Sequence, residues 1–289
     1  MPLINLAQGL AIARDNNAAL GAFNVIDTHF INALFSASAR CHSPFIINIA
    51  EVHFPYLDLE SIVAAIQSRA ARHSQAVVLN LDHGSSFDAI VKAIRAGFTS
   101  IMFDGSSLSY DENIRQTREV VKLCHAAGVS VEAELGAVGG SEGGELYGSY
   151  DQHKLTDVNQ AAQFIEQTQV DALAVAIGNV HGKYRGAPEL DFERLKAINA
   201  ASTVPLVLHG GSGISDADFR RAIDLGIRKI NFFTGMSDAA LTTLGTCLSQ
   251  ESLKYDKLAQ SFEAMELSIS EVVCRQMQVF GNRVPLAEL

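Results

Sequence analysis

The chain has 289 residues, of which 48% are hydrophobic and 19% are charged, so it has ample material for a large core and is not mainly disordered. Its formal net charge of -10 argues against a nucleic-acid or anionic-membrane ligand, because no basic region could neutralise a phosphate backbone. The four cysteines are widely spaced, which predicts neither a disulfide framework nor a cysteine zinc site. The chain lacks a leader-like segment and any run of roughly 18 apolar residues, so we expect a cytoplasmic protein.

Apolar runs of strand length alternate with stretches of helical period, and we count eight alternations. The eight predicted strands are residues 20–25, 45–50, 76–81, 99–103, 129–133, 172–177, 204–208 and 227–232. The spacings Ser85-x-x-Asp88 and Ser215-x-x-Asp218 predict helix starts, and helical pattern continues after the eighth strand to about Phe280. The stretch from Gly136 to Leu155 holds six glycines and no clear period, which is typical of a functional lid.

Regular alternation of strands and helices requires a parallel sheet, because each crossover returns the chain to the same end. Eight units match a closed barrel, whereas the rival doubly wound open sheet usually has a Gly-x-Gly-x-x-Gly after its first strand, which this chain lacks. We therefore predict an α/β protein with a (β/α)8 TIM barrel, a single domain over residues 1–289 and a C-terminal helical extension.

Polar side chains follow the predicted strands at the end where TIM barrels carry their active sites. They are Asp82, His83, Asp104, Glu134, His181, His209 and Asn231. Three histidines at one barrel mouth, with carboxylates behind them, are typical of a zinc site that keeps one position open. The other six histidines have no such company and are interpreted as structural or solvated. They are His29, His42, His53, His73, His125 and His153.

The stretch from Val204 to Ser215 passes from a buried strand through His209 into the bare backbone of Gly210-Gly211-Ser212-Gly213 and then into a helix start. Backbone amides beside a helix N-terminus suit an anion such as phosphate. The Asn-x-x-Thr of residues 231–234 follows the eighth strand, where many barrels also bind phosphate. A zinc site beside a phosphate site indicates a phosphorylated carbonyl substrate.

Five motifs occur in an order that resembles the class II, zinc-dependent ketose-bisphosphate aldolases, most of all their tagatose-bisphosphate branch. They are Leu81-Asp82-His83, Val131-Glu132-Ala133-Glu134-Leu135-Gly136, Gly178-Asn179-Val180-His181-Gly182, Leu208-His209-Gly210-Gly211-Ser212-Gly213 and Lys229-Ile230-Asn231. The resemblance covers about residues 3 to 282, which is nearly the whole chain.

The resemblance implies a role for each matching residue. His83, His181 and His209 would bind zinc, and Asp82 would exchange a proton with the substrate's C4 hydroxyl. Glu142 in the glycine-rich stretch would be the acid/base for the C3 proton. Asp104 and Glu134 would lie behind the ligands or offer alternative metal positions. The phosphate and oxygens of dihydroxyacetone phosphate would be held by Gly182, Gly210, Gly211, Ser212, Asn231, Phe232, Phe233 and Thr234.

The implied enzyme is a lyase that reversibly cleaves tagatose or fructose 1,6-bisphosphate to dihydroxyacetone phosphate and an aldehyde, through a zinc-stabilised enediolate. The resemblance further implies Zn2+ as cofactor, allows a monovalent cation as activator, and predicts a homodimer or homotetramer.

Four departures from the family pattern concern the aldehyde half of the substrate. Ala50 stands where the family usually has Ser, Asp27 where Asn is common, and Phe233 where fructose-bisphosphate members have an acidic residue. Residues 252–257 lack the segment that helps hold a second phosphate. An aldolase for an unusual ketose 1-phosphate without that phosphate therefore stays open.

Other readings also stay open on the sequence alone. A zinc hydrolase would use the same ligands, and Lys183 after the sixth strand would suit a Schiff-base aldolase. A third alternative is that this chain is a non-catalytic companion subunit, of the kind with which the tagatose branch is known to pair.

Overall fold

Eight parallel strands close into a barrel in the computed structural model, which describes residues 3–140, 154–249 and 257–281. The strands are β1 (Leu20–Asn24), β2 (Phe45–Ala50), β3 (Val77–Gly84), β4 (Ser100–Phe103), β5 (Ser130–Leu135), β6 (Ala172–Val175), β7 (Leu206–Leu208) and β8 (Ile227–Phe232). Each strand pairs with the next, and β8 closes the ring on β1 with Ala22 opposite Asn231. The predicted (β/α)8 barrel is confirmed.

Helices follow the strands as predicted, and two long ones end the chain. The helices are α1 (Leu6–Asp15), α2 (Thr28–Cys41), α3 (Leu59–Ala70), α4 (Phe87–Ala96), α5 (Tyr110–Ala126), α6 (Val158–Thr168), α7 (Phe192–Ala201), α8 (Asp216–Asp224), α9 (Thr234–Ser249) and α10 (Lys257–Phe280). Helix α10 packs against α2 and α9, so the C-terminal helical extension is confirmed. That residues 1–289 form one domain stays a prediction. Among the described residues, no helix is both long and apolar enough to cross a membrane.

Helix α1 precedes the first strand and was not predicted from the sequence. Asn5 and Gln8 form a reciprocal capping box at its start, which is a signal the sequence does contain. Leu6 and Leu10 are fully buried against apolar residues of the strands. They close the N-terminal end of the barrel, opposite the end predicted to hold the active site.

One predicted helix start is confirmed and another is displaced by one residue. The Ser215 hydroxyl accepts a hydrogen bond from the Asp218 amide at 3.1 Å, as the spacing predicts. At α4, however, Ser86 rather than Ser85 is the N-cap, because it accepts the Ala89 amide at 3.1 Å. The Ser85 amide donates instead to the carboxylate of Glu51 at 2.6 Å.

The inner face of the barrel changes from apolar to polar along the strands. Residues two apart share a face, and Ala22, Ile46 and Val78 near the bottom are followed by Asn24, Asn48 and Asn80. All six are buried. The three asparagines lie side by side in register, and the Asn80 amide donates to Asn48 at 3.0 Å.

Candidate metal centre and active site

The three predicted zinc ligands converge at the C-terminal mouth of the barrel. His83 lies near the end of β3, His181 follows β6, and His209 follows β7 directly. One ring nitrogen from each lies within 4.8 Å of the others, and His83 Nε2 is 3.0 Å from His209 Nδ1. Two nitrogens on one tetrahedral zinc ion lie about 3.3 Å apart, so this spacing suits a shared cation.

His83 reaches this position through a local break in the strand. Its backbone has φ 47, a left-handed value that is uncommon for a residue with a side chain, and the β3–β4 register shifts between Leu81 and Gly84. Such strain costs about 1–3 kcal/mol and is found mostly at functional sites. Because of this bulge, the side chains of two successive residues, Asp82 and His83, both lie at the mouth of the barrel.

A carboxylate lies within hydrogen-bond distance of one ring nitrogen in two of the three imidazoles. His83 Nδ1 is 2.7 Å from Asp104 Oδ2, and His209 Nε2 is 2.9 Å from Glu132 Oε1. The other oxygen of Glu132 accepts from Lys229 Nζ at 2.6 Å, and both side chains of that ion pair are fully buried. A carboxylate on one ring nitrogen fixes the tautomer and aims the other nitrogen at a metal.

The charge state of the cluster fits a cation. Burial, followed by the positive charge of His83, lowers the pKa of His181 and of His209 well below 6.5, so both rings are neutral ligands. Burial also lowers the pKa of His83, but the carboxylates of Asp82 and Asp104 outweigh it and raise that pKa to about 10. Since zinc ligation requires a neutral imidazole, a bound ion takes the place of this proton.

His181 gives the sharpest test of whether the residues fit a metal. Both of its ring nitrogens are buried, and neither has a hydrogen-bond partner among the described residues. Buried polar atoms without partners are costly and call for an explanation. A metal ion shared with His83 and His209 supplies one, so the donor set fits zinc.

Asp82 lies fully buried beside this cluster, held by amides from the first and last strands. Asn24 Nδ2 donates to one oxygen at 2.8 Å, and Asn231 Nδ2 donates to the other at 3.0 Å. Burial raises the pKa of Asp82, but the positive charges of His83 and Lys229 outweigh it and lower the pKa overall. An ionised, oriented carboxylate of this kind can accept a proton from a substrate hydroxyl.

Glu134 and Asp104 form a second group with His83, whose ligand atoms also lie within 4.8 Å of one another. Burial, reinforced by the charge of Asp104, raises the pKa of Glu134 to about 8. Hydrogen bonds from His83 and Ser106 and the His83 charge overcome the burial of Asp104 and lower its pKa. The geometry agrees with the predicted placement of both carboxylates near the metal ligands.

The predicted phosphate loops lie against each other. The Gly211 amide donates to the Asn231 carbonyl at 3.0 Å, and the Gly235 amide donates to the Ser212 hydroxyl at 3.1 Å. The first bond joins the turn after β7 to the end of β8, and the second joins it to the start of α9 at Thr234. The start of a 16-residue helix beside a glycine turn is suited to an anion.

Glycine is required at Gly210, where φ is 66 and a side chain would collide with the Val180 carbonyl. Gly182 also has a positive φ, of 77. Phe232 is buried and packs edge-on against Phe23, so it can serve the site only through its backbone. Phe233 is partly buried and packs against His53.

Several sequence-based interpretations can be compared with the observed contacts. Lys183 pairs with Asp238 at 2.8 Å, and Asp27 caps α2 by accepting the amides of His29 and Phe30. Ala50 is buried, with Asp82 as its register partner on β3. Glu142, His153 and most of residues 252–257 lie outside the described residues.

The structural interpretation of the remaining histidines agrees with the contacts of three of them. They are His29 with Glu266, His73 with Ser38 and His125 with Asp171. His53 differs, because its ring packs against Phe233 and its buried Nδ1 has no partner among the described residues.

Sequence reasoning gave no role to three residues in or beside the site. Glu132 and Lys229 stand inside quoted motifs but received no role, although a Glu and a Lys in the middle of buried strands are themselves a signal. His53 lies in a 3-10 helix, Glu51–Tyr56, that the hydrophobic pattern did not reveal.

Comparisons with known proteins agree with this geometry. The model of the family described as class II fructose-bisphosphate aldolase matches residues 4–283. The chain is 37% identical to a "Probable fructose-bisphosphate aldolase" of Bacillus subtilis (strain 168), over 98% of this chain and 99% of that protein. It is 40% identical to the "6-phospho-5-dehydro-2-deoxy-D-gluconate aldolase" of Shouchella clausii (strain KSM-K16), over 94% of each. The crystal structure of the YdjI aldolase from Escherichia coli K12 is similar at 33% identity and a TM-score of 0.85, covering 96% of this chain and 97% of that one.

Proposed function

The chain belongs to the class II fructose-bisphosphate aldolase family and is a lyase, and we propose that His83, His181 and His209 are its zinc ligands. Aldol cleavage of a ketose bisphosphate is the reaction of this family. The observation that carries the proposal is the convergence of three imidazoles, two of them held by carboxylates, around the orphaned nitrogens of His181.

Zinc, when bound, supplies a Lewis acid that stabilises negative charge on substrate oxygens. The chain's own residues keep the ligands in place for that task. Asp104 holds His83, while Glu132 holds His209 and is itself neutralised by Lys229. Each ring is thereby restricted to one orientation before the metal and substrate arrive.

Asp82 accepts the proton of the C4 hydroxyl as the C3–C4 bond breaks, and returns it in the reverse direction. Support comes from its two amide donors, which keep the carboxylate ionised and oriented. The electron pair of the broken bond stays on the dihydroxyacetone phosphate half, where C3 must then receive a proton. We assign that proton to Glu142, as the family resemblance implies.

The glycine turn after β7 and the start of α9 bind the phosphate of dihydroxyacetone phosphate. Gly210 and Ser212 offer backbone amides, and Gly211 between them allows close approach while its own amide bonds the Asn231 carbonyl. Thr234 begins the helix, and Gly182 lies in the neighbouring turn after β6. Neutral amide donors explain how a protein of net charge -10 can bind a doubly charged ester. Asn231, Phe232 and Phe233 connect this site to Asp82.

The aldehyde half of the substrate differs among the relatives of this chain. Two relatives of similar identity, 37% and 40%, carry names with different substrates. We propose tagatose or fructose 1,6-bisphosphate, with a ketose 1-phosphate lacking the second phosphate as the alternative. Ala50 and Phe233, which place apolar surface where the family has polar residues, favour that alternative. The monovalent cation, the homodimer or homotetramer, and the cytoplasmic location stay predictions.

Ion pairs of two lysines weigh against a Schiff-base mechanism, and other observations weigh against the remaining alternatives. A Schiff-base aldolase needs a lysine free to attack a ketone, yet Lys183 pairs with Asp238 and Lys229 is buried against Glu132. A non-catalytic companion subunit has no use for an intact metal site. A zinc hydrolase would use the same ligands, but the phosphate loops serve an aldolase better.

The test is triose phosphate release, measured by a coupled assay from tagatose and fructose 1,6-bisphosphates with zinc or with chelator. Release that depends on zinc supports the aldolase, and the ratio of the two rates tests the tagatose preference. Hydrolysis of phosphate esters without triose phosphate would favour the hydrolase. Borohydride inactivation in the presence of substrate would favour the Schiff base.

A further inference from the structure

His53 lies at the mouth of the barrel, on the 3-10 helix that follows β2. Ala50, the last residue of β2, is the register partner of Asp82, so the helix starts beside the candidate base. The His53 ring packs against Phe233 with centroids 5.4 Å apart and the planes tilted by 60°. Phe233 belongs to the segment after β8 that leads into α9, so His53 borders the substrate-binding region.

The polar edge of this ring has an unmet hydrogen bond. His53 Nδ1 is buried and has no partner among the described residues. Burial lowers the pKa of His53 below 6.5, and the nearby Asp82 carboxylate partly opposes this. The ring is therefore neutral at pH 7 and can offer one donor and one acceptor. A buried nitrogen without a partner costs free energy that a ligand can recover.

The neighbouring polar group on the same helix is already engaged. Glu51 accepts hydrogen bonds from the Ser85 amide and from the hydroxyls of Ser85 and Ser86, which ties the helix to the start of α4. Ala50 offers no hydrogen-bonding side chain. His53 is thus the polar side chain that this part of the mouth, as far as the structure describes it, offers to a substrate.

The position of His53 indicates which atoms of the substrate it contacts. Under the proposed function, on which this step rests, the phosphate lies at β7 and β8 and Asp82 marks C4. His53 follows β2, whose last residue Ala50 pairs with Asp82 on β3, whereas the phosphate loops follow β7 and β8. With Asp82 at C4 and the phosphate on the other side, this order assigns His53 to the atoms past C4. These atoms form the aldehyde product.

We propose that His53 is a specificity-determining residue that hydrogen-bonds the hydroxyl group next to the aldehyde carbonyl, which is the C5 hydroxyl of the ketose. A neutral imidazole packed on Phe233 and near the carboxylate of Asp82 suits a hydroxyl group, because it offers one donor and one acceptor. The interaction selects hydroxylated aldehydes over their deoxy analogues.

The experiment runs the reaction in the direction of synthesis, with dihydroxyacetone phosphate and one of two aldehydes of nearly equal size. Glycolaldehyde has the hydroxyl and propionaldehyde lacks it. We expect His53→Ala to lower kcat/KM for glycolaldehyde about 10-fold, the loss of one hydrogen bond, and to leave propionaldehyde unchanged. His53→Asn, which keeps a short polar group, should restore most of the preference.

A matched control is His125→Gln, because His125 lies in the last turn of α5, at the opposite end of the barrel, and pairs with Asp171. It should leave both aldehydes unaffected. Deuterium exchange at C3 of dihydroxyacetone phosphate, followed by NMR without aldehyde, should stay at the wild-type rate in His53→Ala.

Two outcomes overturn the assignment. An equal loss with both aldehydes, or a loss of C3 exchange, would mean that His53 supports the structure of the site. An unchanged preference for glycolaldehyde would mean that His53 does not touch that hydroxyl. By contrast, a wild-type enzyme that neither exchanges C3 nor condenses any aldehyde would overturn the proposed function itself.

Discussion

The two ends of the barrel are built from the same eight strands but from opposite chemistry. At the N-terminal end, Leu6 and Leu10 of α1 pack on Ala22, Ile46 and Val78 in an apolar cluster. Further along the same inner faces come the asparagines and the histidine cluster. The buried ion pair joins the two ends, because Lys229 is in register with Leu20 of the apolar cluster while Glu132 contacts His209. This comparison indicates that residues that stabilise the fold lie in a lower layer, at the N-terminal end of the barrel, and residues that carry the chemistry lie in an upper layer, at the C-terminal end. Substitutions in one layer should therefore leave the property of the other layer unchanged.

The largest expected effect is loss of the metal from the histidine cluster at the C-terminal, or upper, end of the barrel. His209→Ala should abolish stoichiometric zinc binding and lower kcat/KM for triose phosphate release by about 1000-fold or more, since several kcal/mol of charge stabilisation are lost. Metal content after gel filtration and the coupled assay measure the two effects. A variant that keeps both zinc and activity would contradict the ligand assignment. His125→Gln, at the lower end, should match the wild type in both measurements.

Lys229→Met tests the ion pair between the two layers. It leaves the Glu132 charge buried without a cation, which should lower the free energy of unfolding by about 3–5 kcal/mol. It should also weaken zinc binding by about 10–100-fold, because Glu132 orients His209. Urea unfolding with chelator and competition with a zinc indicator separate the effects. The double variant Lys229→Met, Glu132→Gln removes the buried charge and should regain stability; no regain would mean that the charge is not the cause.

Leu10→Ala should affect the lower layer alone. A fully buried leucine replaced by alanine costs about 2–5 kcal/mol of folding free energy through lost burial and a cavity. Below the melting temperature, KM, kcat and zinc content should stay at wild-type values. A large change in KM at full occupancy of the folded state would show that the two layers are coupled.

The smallest expected effects come from a closely matched pair of glycine-to-alanine substitutions. Gly210→Ala adds left-handed strain and a clash with the Val180 carbonyl, so we expect kcat/KM to fall about 10–100-fold through weaker phosphate binding. Gly128→Ala, at φ 73 between α5 and β5, adds the same strain with no atom within 4 Å. It should cost about 1 kcal/mol of stability and leave the kinetics unchanged. Equal kinetic effects would refute the special role of the upper turn.

The sequence predicted the upper layer better than the lower one, and the reason is physical. Strands buried on both faces read as apolar runs, so the polar residues that end them stand out, as at Asp82, His181 and His209. Helix α1 was missed because it has no strand before it in the chain to mark it as part of the alternation.

Residues that act from inside the barrel were harder to recognise. Glu132 lies between the apolar Val131 and Ala133, and Lys229 lies between Arg228 and Ile230. Charged residues mixed with apolar ones in this way are equally typical of a strand with one face in water. Only closure of the ring shows that both point inward. His53 was missed because a six-residue 3-10 helix is too short to show a period. The role of Glu142 stays a prediction.

The two amides that hold Asp82 come from opposite ends of the chain. Asn24 lies on the first strand made by the ribosome and Asn231 on the last, and they meet only because β8 pairs with β1. During synthesis the base therefore has one of its two restraints until the final strand has emerged and the ring has closed. A chain that ends before β8 lacks Asn231 and therefore cannot complete the pair of amides that orients Asp82.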